Sequence, residues 1–420
     1  MLEEIQAIEK SVYDRPAFAE QRLPRAGKGL EAFTVSLCDS EEAFRALQPE
    51  WNALLDHAAR KSAFLRHEFM FTWWTNYGRQ QRGATLFILL ARDRERRLVG
   101  VLPLYREKSR WPVIGVRELR FLGSVHEAPE YLDVIAADNA LTAKIVATLL
   151  AGLANLRAQY DLLRLADMAE DALLLSFLPS WTDSHGGQLY QWPWMVCPHI
   201  KITGDFESYL KTVSSNHRAN FRRQQRKLNE SHQVTMDVAT TPAQVENDFE
   251  KLFALHHQRW AGRQETSAFD NAISHAFHRE LVKKMAANDV VRIFSLKCDG
   301  QIVANLYGYF YDNRLLYYQA GFDLAFESKS VGLILMGLVL QYCFAHGYSE
   351  FDFLRGLEEY KFRWTKATRA TVACEIALNV HAKFYLRGLH ALRNFKKRLR
   401  DLHKNLQAGA APKITKGETT

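Results

Sequence analysis

Residues 351–364 read Phe-Asp-Phe-Leu-Arg-Gly-Leu-Glu-Glu-Tyr-Lys-Phe-Arg-Trp, an apolar strand pattern that breaks at Gly356 into a polar loop. Arg355, Glu358, Glu359, Tyr360, Lys361 and Arg363 fall within nine positions. A strand end followed by such a loop sets adaptable polar groups on a rigid platform, which is where α/β proteins build ligand sites.

Working outward, residues 326–347 read as a loop opening a long apolar helix, with Ser328 and Ser330 as N-cap candidates and Gly347 as its stop. A helix start leaves backbone N–H groups without intrahelical acceptors, and phosphates bind there. The order predicted is strand, anion-ready loop, helix, strand, polar loop. Such a unit can hold a phosphorylated cofactor at one strand end and a reacting group at the next.

Tyr317 to Ala320, the helix start Ser330–Gly332, Asp352-Phe-Leu-Arg-Gly, Tyr360-Lys361 and Trp364 together resemble the GNAT acyltransferases of the CelD type, from cellulose and exopolysaccharide biosynthesis. That group is related to the FemAB peptidyltransferases. The resemblance extends, more weakly, over residues 40–380. It implies an α+β fold with mixed sheets, built as two GNAT units in tandem. It also implies an acyl group, acetyl first, moved from coenzyme A to an amine or hydroxyl of a sugar or cell-envelope precursor. The coenzyme pyrophosphate then belongs beside the strand holding Gln319 and Ala320, on Ser328, Ser330, Val331 and Gly332. The FemAB branch implies aminoacyl-tRNA as donor instead, and a non-catalytic scaffold of a polysaccharide synthase is a third reading.

A chain of 420 residues is long for one core and points to two domains. The five cysteines, Cys38, Cys197, Cys298, Cys343 and Cys374, are odd in number and lack C-x-x-C spacing. That pattern argues against a disulfide framework or a zinc site and for a reducing compartment. No apolar run follows the acidic start Met-Leu-Glu-Glu, and none reaches the roughly 18 residues that span a bilayer. A cytoplasmic protein without metal is expected. The net charge of +8 suits anionic partners without choosing among coenzyme phosphates, nucleic acid and a membrane face.

An internal repeat supports the tandem plan. Strand patterns at 86–91, 98–105, 117–122 and 131–136 precede a helix at 141–156 and a strand at 160–165. A meander at 290–297, 301–310 and 315–320 precedes a helix at 331–346 and a strand at 349–354. The resulting division is a flexible leader at 1–30, a non-catalytic N-terminal unit at 31–190, a catalytic unit at 191–380, and a basic amphipathic helix with a disordered tail at 381–420. Residues 175–198, with Pro179, Gly186, Gly187, Pro193 and Pro198 among three tryptophans, read as an irregular crossing between units. Phe69, Trp73 and Tyr77 recur at helical spacing, which favours core packing over an aromatic sugar cleft.

Acyl transfer needs the attacking group deprotonated and the leaving thiolate protonated or stabilised. The candidates for proton handling are His126, His278, Glu358, Glu359, Asp352, Tyr360 and Lys361. Lys361 is the first choice for polarising the carbonyl or leaving group, against an ion pair with Asp352. A carboxylate in an apolar strand needs a cation, so Asp352 is expected to pair with Arg355 or Lys361. Arg218, Arg222 and Arg226 line one face of a basic helix, a footprint for substrate phosphates, for tRNA, or for a solvated salt-bridged face. Arg259 and Trp260 form a charged, stacking pair suited to an anionic acceptor, with plain packing of the tryptophan as the competing reading. The stripe Tyr385, Leu389, Leu392, Phe395, Leu399, Leu402 with its basic flanks suits either an anionic membrane or packing onto the domain.

Overall fold

The computed structural model describes residues 2–13, 33–109, 115–260, 269 and 271–409. Its first half contains α1 (Leu2–Tyr13), β1 (Thr34–Cys38), α2 (Glu41–Ala46), α3 (Gln48–Asp56), α4 (His67–Asn76), β2 (Thr85–Arg92), β3 (Leu98–Lys108), β4 (Arg117–Phe121), β5 (Ile135–Ala136), α5 (Thr142–Asn155), β6 (Leu162–Ala169) and α6 (Leu173–Ser184). Next come β7 (Gln188–Lys201), α7 (Phe206–Thr212), α8 (Ser215–Ser231), β8 (Val234–Ala239), α9 (Pro242–Trp260), α10 (Ala272–Ala286), β9 (Val291–Cys298), β10 (Gln301–Tyr311) and β11 (Arg314–Phe322). The chain closes with α11 (Val331–Ala345), β12 (Glu350–Asp352), α12 (Glu359–Phe362), β13 (Thr368–Ala377) and α13 (Val380–Gly409).

One mixed sheet runs through both halves in the order β1-β2-β3-β4-β6-β13-β7-β12-β11-β10-β9-β8. Each half repeats one plan. Antiparallel strands lead to β4 or β11, a helix crosses over, and the next strand, β6 or β12, pairs parallel to them. The fold is therefore mixed α/β with two GNAT-like units in tandem, and the repeat seen in the sequence is a repeat of topology.

The units are less separable than a cut at residue 190 suggests. That cut falls inside β7, whose first part pairs with β13 and whose end pairs with β12. Residues 188–198 thus form the strand that joins the two halves, in place of an irregular crossing, and residues 173–184 form a helix. Pro193 sits where the β7–β13 register shifts, a position that tolerates the missing N–H. Strand β13, placed by sequence order in the second unit, is inserted between β6 and β7 and completes the sheet of the first. In the stretch 117–136, β4 pairs with β3 and with β6, and the two-residue β5 pairs with β3.

Residues 2–13 are a helix rather than a loose leader. Ile5 is buried and Glu4 lies 2.8 Å from Lys366. Residues 14–32 and 410–420 lie outside the described residues. The α4 aromatics Phe69, Trp73 and Tyr77 are core residues.

Helix α11 is apolar all round because it is covered on both sides, by the sheet and by α8. Its Gly337 lets α8 approach closely. A Cβ there would lie 2.1 Å from the buried Phe221 ring. Gly337→Ala should therefore overpack the contact at a cost of about 1–3 kcal/mol, lowering the denaturant midpoint in equilibrium unfolding with an unchanged slope.

Candidate active site at a forked strand pair

Strands β11 and β12 pair only at Arg314↔Glu350, Leu315↔Phe351 and Leu316↔Asp352. Beyond that they part. Strand β11 continues along β10 to Phe322, while residues 353–356 follow β7, with Phe353 N donating to Pro198 O and Gly356 N to Val196 O. Among the described residues no strand takes up the edge of β11 from Tyr317 to Phe322. In the first half a loop residue reaches the strand that corresponds to β12, Leu132 N donating to Asp167 O of β6 at 2.9 Å.

The start of α11 faces this opening. Ser330 stands at the N-cap position in the left-handed region (φ 57), and its hydroxyl makes no cap bond. Ser328 lies in the preceding turn at 324–329. The first-turn amides of Val331 and Gly332 have no intrahelical acceptor. Gly332 is roomy, for a Cβ there would meet only Phe322 Cδ1, at 3.7 Å. Gln319 and Ala320 lie on the edge of β11 that borders the fork, where the Gln319 side chain accepts from Ala320 N. A phosphate and an extended chain both fit these features, the first on the amides and the second against the strand edge.

Two hydroxyls meet where the fork closes. Tyr360 Oη donates to Tyr317 Oη at 3.3 Å, and Tyr317 is the first β11 residue after the parallel pairing ends. The Tyr317 ring packs against Phe351 and Phe353. Lys361 is buried, with Nζ donating to Arg355 O at 2.6 Å and lying 2.9 Å from Glu358. Glu359 is exposed and pairs with Arg363.

Asp352 pairs with neither expected cation. It accepts from Tyr131 Oη at 2.6 Å and from Leu354 N at 2.8 Å, with Arg369 4.0 Å away. Arg355 instead reaches across to the first half, bonding Glu130, the carbonyl of Pro129, and Asp167 at 2.7 Å. Burial pushes the Glu130 carboxyl up to about 7 despite Arg355, and burial likewise raises Asp167. The reason the pairing differs is tertiary: β12 lies between β7 and β11, and the first-half loop carrying Glu130 and Tyr131 covers its end.

That loop is strained. Val125, Glu127, Ala128 and Tyr131 all have positive φ, and across the fork Leu354 does too. Such backbone gathers at functional sites and persists only where surrounding contacts hold it. Glu127 is the anchor. Its carboxylate takes bonds from Tyr77 and from His278 Nε2 at 2.8 Å, and its carbonyl accepts from Tyr318 Oη at 2.9 Å. Burial pushes the Glu127 carboxyl up, but His278 and the hydroxyls outweigh this and hold it below the usual range. Tyr318 is the extra residue of a β11 bulge opposite Tyr307 and Gly308, on the opposite face of the sheet from Tyr317. His278 is fully buried, and its Nδ1 has no partner among the described residues. His126 stacks on Tyr77 at 4.7 Å.

Residues 215–362 match the acetyltransferase (GNAT) domain family. The GNAT match spans the fork, the α11 start and the Tyr360–Lys361 turn. Among solved structures the chain is similar to FemX, at 9% identity and a TM-score of 0.54, over 81% of this chain and 97% of that one. It is also similar to L-PGS from Bacillus licheniformis, at 11% identity and 0.49, over 84% and 95%. A tandem GNAT protein from the clavulanic acid biosynthesis pathway matches at 11% and 0.41, over 81% and 98%. At these identities the likeness is one of fold. No curated protein matches the sequence.

Of the residues singled out in the sequence, the fork gathers Gln319, Ala320, Ser330, Val331, Gly332, Tyr360 and, at its base, Asp352. Arg218 and Arg222 sit elsewhere, on α8. Arg218 caps the end of α7 by donating to Leu210 O and Val213 O, and Arg222 pairs with Glu207. Arg226 lies 3.9 Å from Glu230. Arg259 and Trp260 close α9, and their side chains lie outside the described residues. Tyr131, Glu130, Asp167, Arg369 and Tyr317 were not singled out as site residues. Only the polar loop at 123–130, with its histidine and two glutamates, was a visible signal.

Proposed function

We propose that the chain is an acyltransferase whose second unit takes an acyl-coenzyme A, acetyl-CoA first, and passes the acyl group to an amine or hydroxyl of a sugar or cell-envelope precursor. The observation that carries this reading is the fork between β11 and residues 353–356, opening onto the α11 start. Val331 and Gly332 amides would hold the pyrophosphate, with Ser328 and Ser330 beside it. The edge of β11 at Gln319 and Ala320 would pair with the extended arm of the coenzyme. The donor supplies an activated carbonyl. The acceptor nitrogen or oxygen attacks that carbon, the C–S bond breaks, and the thiolate takes a proton from the Tyr360–Tyr317 hydroxyl pair. The proton the acceptor loses would pass to water, while His278, bonded to Glu127 on the other face of the sheet, would brace the loop beside β11. Lys361 would act by holding the Arg355 carbonyl, and so the turn that presents Tyr360. Arg355 and Asp352 would fix the floor of the site through the first half.

An aminoacyl-tRNA donor rests on the basic face of α8, and the structure weakens that support. Arg218, Arg222 and Arg226 each already contact their own chain.

Calorimetric titration with acetyl-CoA, desulfo-CoA and bulk tRNA tests the donor. Acetyl-CoA and desulfo-CoA should bind at micromolar concentration. Gly332→Ala should keep the fold and most of the affinity, because its Cβ has space. Gly332→Trp should abolish binding without changing the melting temperature. Binding of tRNA alone would replace the coenzyme reading, and binding of neither would favour a scaffold.

A further inference from the structure

Helix α13 has two opposed faces. Ala382, Tyr385 and Leu386 are buried against Val116, Leu162 and Ala377, with Leu389 packed beside them. Further bonds pin this side: Tyr385 Oη to Glu118 at 3.2 Å, His390 to Glu375 at 2.8 Å, and Lys383 to Gly186 O at 2.8 Å. Packing onto the domain, one of the two readings of this helix, is therefore real. It uses only half of the helix.

At about 100° per residue, Val380, Phe384, Arg387, Ala391 and Phe395 fall in one arc opposite the packed side. Val380 is 64% exposed, Phe384 62% and Phe395 58%, with Leu392 at the margin. Large apolar side chains that far into solvent, repeated along one face, are the informative exception on a protein surface. Charge is concentrated here as well. Residues 380–409 carry eight basic residues against one acidic, a net +7 of the chain's +8. The rest of the protein is close to neutral.

We propose that α13 docks the protein onto an anionic lipid surface, its free face of Val380, Phe384 and Phe395 entering the headgroup region while the surrounding lysines and arginines meet the phosphates. Aliphatic and aromatic side chains side by side within a basic helix are what an interfacial helix needs. Nucleic acid would use the cations and leave Val380 and Leu392 without a role. No helix of the described residues is long and apolar enough to cross a membrane, so the attachment is peripheral. This inference goes beyond the acyl-transfer reading and does not depend on it.

Co-sedimentation of the full chain with vesicles decides it. Vesicles rich in phosphatidylglycerol should bind the protein, pure phosphatidylcholine should not, and raised salt should weaken the interaction. The double variant Phe384→Glu/Phe395→Glu should lose about tenfold or more in bound fraction, with no fall in melting temperature because both side chains are exposed. Acetyl-CoA titration of the same variant should match the wild type, which separates attachment from the donor site. Absence of vesicle binding overturns the proposal. So does unchanged vesicle binding by the double variant, or preferential binding of a structured RNA by both proteins, which would mark α13 as a nucleic-acid contact.

Discussion

Arg355→Ala is expected to destabilise the protein by about 3–5 kcal/mol, because it leaves two buried carboxyl groups without their cation. Arg355 joins Glu130 and Asp167 of the first half to the strand end of the second. Both acids are almost fully buried. Arg355→Lys should recover little, since one ammonium cannot reproduce a guanidinium that bonds Glu130, Asp167 and the Pro129 carbonyl together. Denaturant unfolding of the two variants measures this. A loss near zero for Arg355→Ala would mean that the halves are held together elsewhere.

The same cluster sets a pH dependence. Glu130 has its folded value raised from 4.5 to about 7 by burial, so the folded protein binds its proton more tightly than the unfolded chain does. Its contribution is fully present below pH 4.5 and is lost as pH rises to 7. Asp133, raised by burial from 3.8 to about 7, acts in the same sense. Glu130→Gln should therefore flatten the fall in stability across that window, as read from melting temperatures at a series of pH values.

The second large effect concerns catalysis. Removing both hydroxyls at the fork, Tyr360→Phe with Tyr317→Phe, should lower kcat by about 10²-fold or more while leaving acetyl-CoA affinity close to wild type. Each single variant should lose less, because either hydroxyl can serve the leaving group and the pair acts as a unit. The choice of Phe keeps the Tyr317 ring packed against Phe351 and Phe353, and the Tyr360 ring against it. A double variant with unchanged kcat would assign protonation of the thiolate to solvent or to another group.

The local units of the site were legible in the sequence. An apolar run ending at Gly347 gave helix α11, whose stop residue has positive φ, and the pattern Phe351–Phe353 gave a strand followed by a polar turn at Tyr360 and Lys361. These follow from periodicity and punctuation within a dozen residues. The repeat of meander, helix and strand also showed, because both units must bury a sheet by the same route.

What sequence order concealed were the neighbours. Periodicity tells which face of a strand is apolar and does not say which strand lies beside it. Strand β13 therefore reads as part of the second unit, yet it pairs with β6 and β7. The two prolines of β7 disguised a joining strand as a loop. Asp352 and Arg355 stand three positions apart with opposite charge, but a strand end directs them to different partners, Tyr131 with Arg369 for one and Glu130 with Asp167 for the other. The sequence by itself determined the elements, the tandem plan and the polar turn. Only the tertiary structure decided that the floor of the site comes from the first half, because ion pairs and hydrogen bonds there join residues that lie far apart in the chain, Arg355 with Glu130 and Asp167, and Asp352 with Tyr131.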